Sequence, residues 1–407
     1  MIDRQFARDL VARFGSPLYA YDLDEVERRA RILISILPKG ATLFYSFKAN
    51  PLPAIAATAR QAGCRAEVSS LGELQVAQQA GFAGEHILYS GPGKSEEQVH
   101  AALSSGVTHF SCESWTDVTR VQNAARKLKR KAKVLLRVNP SHAPHAKLAI
   151  TGVESQFGFE EESLLGLGSQ LRALDGAIEI IGVHVYWGTQ ISMDTISSTT
   201  KAAIETAGRI SDRLGFACRV IDAGGGFPWP YASSEAGPDL ANLKQEFADL
   251  RAQSRITSSA EIWFESGRYV CASSGTLLTT VVDVKASKND KKYVVLNAGI
   301  NHLGGMSGLG RIPRPFVSIE LLAMESEGEL ETCDIVGPLC STLDSLGRNL
   351  KVPRLKVGDV ISIPNVGAYG LSASLIGFLS HPPPKEIAFR GRQVVETYRL
   401  RWGHERI

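Results

Sequence analysis

Residues 41–50 read ATLFYSFKAN, and PLPAIAATARQAG follows at 51–63. The first stretch is β-rich and apolar until it delivers a lysine. The second repeats apolar residues at three- and four-residue spacing and stops at a glycine, as a helix does. The same alternation recurs in CRAEVS from Cys64, ILYSG from Ile87, HFSCE from His109, KVLLRVNP from Lys133, EIIGVHVY from Glu179, CRVIDAGGG from Cys218 and EIWFESGR from Glu261. Helix-like segments such as GELQVAQQAG, EEQVHAALSSG, DVTRVQNAARKL and LANLKQEFADL lie between these runs. Strands that alternate with helices pair in parallel. An open doubly wound sheet also alternates, but eight strands over roughly 230 residues match a closed barrel better. The ends of the runs decide between them. They deliver Lys48, Ser69, Ser90, Glu113, Arg137, Tyr186, the triplet Gly224, Gly225 and Gly226, and Glu265 with Arg268. Polar groups gathered at the C-terminal ends of eight strands are how a (β/α)8 barrel builds an active site. The predicted fold class is therefore α/β, with a TIM barrel over 24–270.

Beyond Cys271 the texture changes to TLLTTVVDVKA, YVVLNAG, CDIVGPL and DVISIPNVGAYG, β-branched runs broken by Gly, Pro and Asn. These predict an antiparallel β-barrel or sandwich domain over 271–407. PLYAYD at 17–22 reads as a strand of the same domain, which would then comprise 1–23 and 271–407 with the barrel inserted.

The chain has 407 residues, 44% hydrophobic and 21% charged, a balance that excludes a mostly disordered protein. A formal charge of +3 from 45 basic and 42 acidic residues, with no long basic run, argues against nucleic acid as a partner. Six cysteines without CxxC spacing read as reduced thiols in a cytosolic protein. No stretch reads as a signal peptide or a membrane span, so a cytoplasmic location without membrane association is expected.

Lys48 at a barrel mouth would be partly desolvated, which favours a nucleophilic amine able to form an imine with a carbonyl compound. A lysine merely reaching out from a strand end is the plainer alternative. The Gly224, Gly225, Gly226 triplet lets backbone N–H groups approach a phosphate, or is a simple turn. It is no Rossmann fingerprint, which would need glycine at Trp229. Arg268 offers a phosphate partner, while Glu265 and Arg268 could equally form an ordinary ion pair. Cys340 in GPLCSTLD could be an exposed proton donor, although most cysteines are core residues. No metal is expected: His142 and His145 lack a nearby acid, and His184 stands alone on its strand.

Taken in order, PLYAYD, FYSFKAN, EVSSLGEL, GPGKS, RVNP, GVHVYWGTQ, DAGGGFP, ESGRY, GPLCSTLD and GAYG resemble the fold type III pyridoxal-phosphate decarboxylases. This is the family of diaminopimelate, ornithine and arginine decarboxylases, built on the alanine racemase barrel. The resemblance implies pyridoxal 5'-phosphate as cofactor and an amino acid as substrate. It implies Lys48 as the imine-forming lysine, Glu265 on the pyridine nitrogen, and Gly224, Gly225, Gly226, Gly267, Arg268 and Tyr369 around the phosphate. Glu67, Glu73 and Arg137 match supporting positions. Cys340 and Asp344 would come from the partner subunit of a homodimer.

The departures are as informative. Tyr186 stands where the family usually stacks a histidine on the cofactor, and EPGR and SKFG are ESGR and SQFG here. The acid that usually follows the cysteine, facing a distal substrate amine, is Ser341. A hydroxyl cannot match a charge-assisted hydrogen bond to an ammonium, so free diamino acids become poorer substrates. HVYWGTQ, GPLCSTLDSLG and GAYGLSAS with FLSHPPP look most like a specialised-metabolism branch. That branch includes a butirosin-pathway decarboxylase acting on glutamate held as a thioester on an acyl carrier protein. For such a substrate Arg311 and Arg314 could meet a carboxylate or pantetheine phosphate, and Lys285, Lys288, Lys291 and Lys292 could receive an acidic carrier. The alternatives are a decarboxylase of free diaminopimelate or ornithine type, or an amino-acid racemase on the same fold.

Overall fold

The eight runs form one closed parallel sheet in the computed structural model, which describes residues 2–140, 155–253, 259–287, 291–303, 320–321, 329–401, 403 and 406. Strand β1 (Leu18–Asp22) belongs elsewhere. The barrel strands are β2 (Thr42–Ser46), β3 (Arg65–Val68), β4 (Ile87–Tyr89), β5 (His109–Cys112), β6 (Ala132–Asn139), β8 (Ile178–His184), β9 (Val220–Asp222) and β10 (Glu261–Ser266), with the two-residue β7 (Phe159–Glu160) added outside β6. Pairing of β10 with β2 and of β5 with β6 closes the ring. Its base is filled by Phe44, Leu88, Leu135, Ile181, Val220 and Trp263 from six strands, all buried. Inward side chains layered in this way make the barrel a packed core rather than a pore.

The helices start where their caps dictate. Ser70, Ser95 and Ser114 each accept the backbone N–H three residues on, and Ser95 forms a full capping box with Gln98. The long helix Met193–Leu214 ends at Gly215, whose φ of 73° is the left-handed conformation that glycine adopts without strain. No described helix is long and apolar enough to cross a membrane.

His109 sits in the barrel base, edge-on to Trp263 with ring centroids 5.4 Å apart. Burial, helped by the Lys133 and Arg65 charges, pushes its imidazole down to about 4. In the unfolded chain the ring takes a proton near the ordinary value of 6.5. The stability this supplies is therefore complete above pH 6.5 and is lost as pH falls toward 4. The whole effect is worth about 3 kcal/mol at most. Chemical unfolding at pH 7 and pH 4.5 should show the wild type losing about 2 kcal/mol more than His109→Gln. Equal losses would contradict this reading of the base.

The chain divides into two compact units, 27–228 with 238–270, and 1–26 with 229–237 and 271–407. The second is a nine-stranded sheet of β1, β11 (Gly275–Ala286), β12 (Lys292–Leu296), β13 (Glu320–Leu321), β14 (Leu330–Val336), β15 (Ser345–Pro353), β16 (Val360–Ile363), β17 (Lys385–Arg390) and β18 (Gln393–Arg399). Most of its pairings are antiparallel, as the sequence suggested, while β1–β17 and β12–β14 run parallel. The β-branched texture of these runs sets strand propensity, and it carries no information on direction. An N-terminal helix, Arg4–Phe14, capped by Asp3, buries Phe6, Ala7 and Leu10 against Leu18, Leu278, Ile387 and Phe389. The segment 229–237 is held within this unit through Asn365, which accepts from the Trp229 indole at 2.9 Å and donates to the Ser233 carbonyl.

Candidate active site

Strand β2 ends at Ser46, and one 3-10 turn, Phe47–Ala49, follows with Phe47 and Ala49 buried. That turn leaves Lys48 partly exposed at the strand-end rim, its Nζ 3.2 Å from Glu67 Oε2 and 4.0 Å from Glu265 Oε2. Glu67 points inward from β3, where Ser90 also donates a hydrogen bond to it. Burial pushes the Glu67 carboxyl up, but the Lys48 ammonium and the Ser90 hydroxyl outweigh it, and the group settles below the usual glutamate range. Glu67 is thus an anion that orients Lys48. Glu73, in the following helix, accepts the Ser69 N–H at 2.7 Å, and burial raises its carboxyl to about 7.

The Tyr186 ring has two cations near it. Lys48 Nζ is 5.4 Å and the Arg137 guanidinium 5.7 Å from its ring centroid. Arg137 also lies 4.9 Å over Phe157 and donates to Glu113 Oε1 at 2.7 Å. Glu113 accepts the Gly158 N–H with its other oxygen, which ties the SQFG loop to β5. The ring of Tyr186 packs on the bare backbone of Gly224, where an added Cβ would lie 3.0 Å from Tyr186 Cδ2.

The glycine triplet follows β9 directly. Gly224 and Gly226 have φ of 67° and 95°. A Cβ on Gly225 would fall 1.9 Å from the Glu265 carbonyl oxygen, so this position admits no side chain unless β10 moves. Gly225→Ala should lower the melting stability of the apo protein by about 1–3 kcal/mol and weaken cofactor retention with it. Thermal melts of both forms check this, and an unchanged melt would deny the close approach. Gly267 is similarly confined by Ala49, and Arg268, partly buried, opens a short helix immediately after β10.

Beneath Lys48 the sequence expectation needs correcting. His184 is not alone: β8 and β9 pair it with Asp222, and Glu265 joins them from β10. One ligand atom of each lies within 4.8 Å of the others, and all three residues are buried. His184 Nδ1 lies 2.8 Å from Ser111 Oγ, and Nε2 is 3.6 Å from Glu265 Oε1. Burial raises Glu265 well above the carboxylate range, reinforced by the Glu67 and Asp222 charges. Burial also lifts Asp222 to about 7 and holds His184 well below 6.5, in its neutral form. Among the described residues, His184 Nε2, Asp222 Oδ2 and Glu265 Oε1 find no hydrogen-bond partner. Such a trio could hold a metal ion by distance alone, but the Lys48 ammonium 4.0 Å from Glu265 opposes a second cation.

An acid with an unpartnered, proton-retaining oxygen, an aromatic face, an oriented amine and a glycine turn with bare backbone together fit an aromatic aldehyde. Such a ligand would carry a basic ring nitrogen and a phosphate. The remaining expected residues belong to the other unit. Cys340 is exposed on the loop after β14. Ser341 Oγ accepts the Leu343 N–H at 3.2 Å. The buried Asp344 accepts the Ile300 and Leu339 N–H groups at 2.9 and 2.8 Å, one with each carboxylate oxygen, so the geometry supports a clamp on this loop. Tyr369 has φ 55°, and its carbonyl accepts from the Tyr231 hydroxyl. Arg311, Arg314 and Lys288 lie outside the described residues. Of the remaining lysines expected to receive a carrier, Lys291 and Lys292 are paired with Asp334 and Glu331, so their charges are largely neutralised locally.

The family model for the pyridoxal-dependent decarboxylase pyridoxal-binding domain matches residues 23–272. The chain is 35% identical over 396 residues to the L-glutamyl-[BtrI acyl-carrier protein] decarboxylase of Niallia circulans, covering 96% of this chain and 92% of that one. It is 31% identical to the diaminopimelate decarboxylase of Zymomonas mobilis, covering 95% and 90%. The crystal structure of diaminopimelate decarboxylase from Helicobacter pylori complexed with L-lysine superposes with a TM-score of 0.83 at 26% identity, covering 95% of each chain. With the fitted site, these matches show that the chain belongs to the pyridoxal-dependent decarboxylases, enzymes that use pyridoxal phosphate to remove carbon dioxide from an amino-acid substrate.

Proposed function

We propose that the substrate is an amino acid held as a carrier-protein thioester, glutamate first among the candidates, and that a homodimer carries out the reaction. The observation that carries this reading is the loop beside Cys340. The position after the cysteine is Ser341, and the one buried acid of the loop, Asp344, spends both oxygens on backbone N–H groups. Within 337–344 no carboxylate is left to receive a distal ammonium. The 35% identity to a decarboxylase of carrier-bound glutamate supports the same choice.

Lys48 would supply the amine that holds the cofactor through its carbonyl carbon. Glu67 keeps it in place. The backbone of Gly224, Gly225 and Gly226, with Gly267 and Arg268, would receive the phosphate. Tyr186 would offer its ring to the cofactor where the family usually has histidine, and Arg137 braces Tyr186. Glu265 keeps a proton at the ring nitrogen. Bound there, the pyridinium ring supplies the electron sink for the pair left when the α-carboxylate departs as carbon dioxide. Cys340 of the second copy returns a thiol proton to Cα. A carboxyl at the ring nitrogen, where racemases of this fold tend to place an arginine, favours decarboxylation.

The test is CO2 release from free glutamate, diaminopimelate, ornithine and lysine, set against glutamyl thioester on an acyl carrier protein. Turnover confined to the thioester supports the proposal. Faster turnover of a free diamino acid overturns the carrier reading, and loss of optical rotation without gas would indicate racemisation. Light scattering of the purified protein checks the dimer.

A further inference from the structure

Counting charges around Glu265 leaves a surplus of acids. Glu67 faces it from β3, Asp222 from β9 and the neutral His184 from β8, while Lys48 and Arg137 are the cations that act on it. Arg137 is already committed to Glu113 at 2.7 Å, and Lys48 stands nearer to Glu67 than to Glu265. Asp222 feels the same Glu67, Arg137 and Lys48, and spends one oxygen on the Gly224 N–H at 2.9 Å. Its other oxygen and Glu265 Oε1 are left without hydrogen bonds in a buried space. Two carboxylates so close in a dry site cannot both stay ionised. His184 cannot relieve them by charging, because burial, reinforced by the Arg137, Lys48 and Lys94 charges, keeps its ring neutral.

We propose that Asp222 is a positioning residue for the proton on which the chemistry depends. Asp222 and Glu265 hold one proton between them, against the neutral His184 ring, and Asp222 sets how firmly Glu265 keeps it. This rests on the reading of Glu265 as the partner of the ring nitrogen. The pair then presents that nitrogen with a proton already in place. No proton has to be drawn from solvent into a buried site, and the proton given up by the pair is the one the nitrogen gains. On that reading the tasks separate: Glu265 would meet the ring nitrogen, and Asp222, clustered with Glu265 and His184, acts only through Glu265.

The test uses the apo protein, so it does not depend on turnover. Infrared difference spectra between pH 5 and 9 follow the carbonyl stretch of protonated carboxyl groups, with circular dichroism confirming the fold of each variant. Glu73 and Glu386, both raised to about 7 by burial, contribute the same band in every variant and cancel in variant-minus-wild-type spectra. In the wild type a protonated carboxyl should persist through pH 7. In Asp222→Asn the remaining group should lose its proton at least one pH unit lower, about a tenfold weaker proton affinity. Glu265→Gln should shift Asp222 downward by a similar factor, since the coupling is reciprocal, and this second variant serves if the first does not fold. Titrations unchanged in both variants, or a wild type with no such band attributable to either residue, would overturn the shared proton. The reading of Glu265 fails separately, if loaded protein keeps full activity in Glu265→Gln.

Discussion

Lys48→Ala should abolish the visible absorbance of amine-linked pyridoxal phosphate and lower CO2 release by on the order of a thousandfold or more, the scale of loss when a principal catalytic group is removed. No other lysine can take over, because the position is built by the turn after β2. Phe47 and Ala49 are buried on either side of Lys48, and the Glu67 anion aims its Nζ toward Glu265. The variant also leaves Glu67 buried without its cation, so that carboxyl should take up a proton and rise above its wild-type value. Lys48→Arg separates the two effects. It keeps the charge beside Glu67, and so the stability, but cannot supply an amine. Absorbance and CO2 release measured on both variants check the account, and either variant retaining both signals would contradict it.

Glu265→Gln should reduce kcat by about a hundred- to ten-thousandfold while moving KM much less. The substitution keeps size and shape but removes the group that can keep a proton at the ring nitrogen. Its effect should be large because burial and the charges of Glu67 and Asp222 make the Glu265 carboxyl unusually reluctant to give up a proton. Gel filtration and cofactor retention should stay near wild type, since Lys48 and the glycine turn are untouched. A fall in KM alone, with kcat preserved, would remove Glu265 from the chemistry.

The barrel and its rim were legible in the sequence because each strand carries its own signal. A β-rich run with a polar end repeats eight times, and all eight runs form the strands of the closed sheet. Lys48 and Glu265 were legible because each lies at the end of such a run, and Glu67 through the family resemblance alone. The cluster of His184, Asp222 and Glu265 was not. Asp222 lies in the run that drew attention to its glycines, and only the register of β8 with β9 sets it beside His184. Lys94, within GPGKS, received no role from the sequence, yet it is a buried ammonium paired with Asp117 at 2.8 Å. No local pattern separates such a residue from a surface lysine. The parallel pairs of the second sheet, and the grouping of 229–237 with it, depend on long-range pairing that β-branched composition does not encode.

The central claim is that Lys48 is the residue covalently joined to the cofactor. Borohydride reduction of the loaded protein, followed by proteolysis and mass spectrometry, tests it most directly. The account predicts one pyridoxyl modification, on the peptide that contains Lys48. A modification on any other lysine, or loaded protein that yields none, would contradict it.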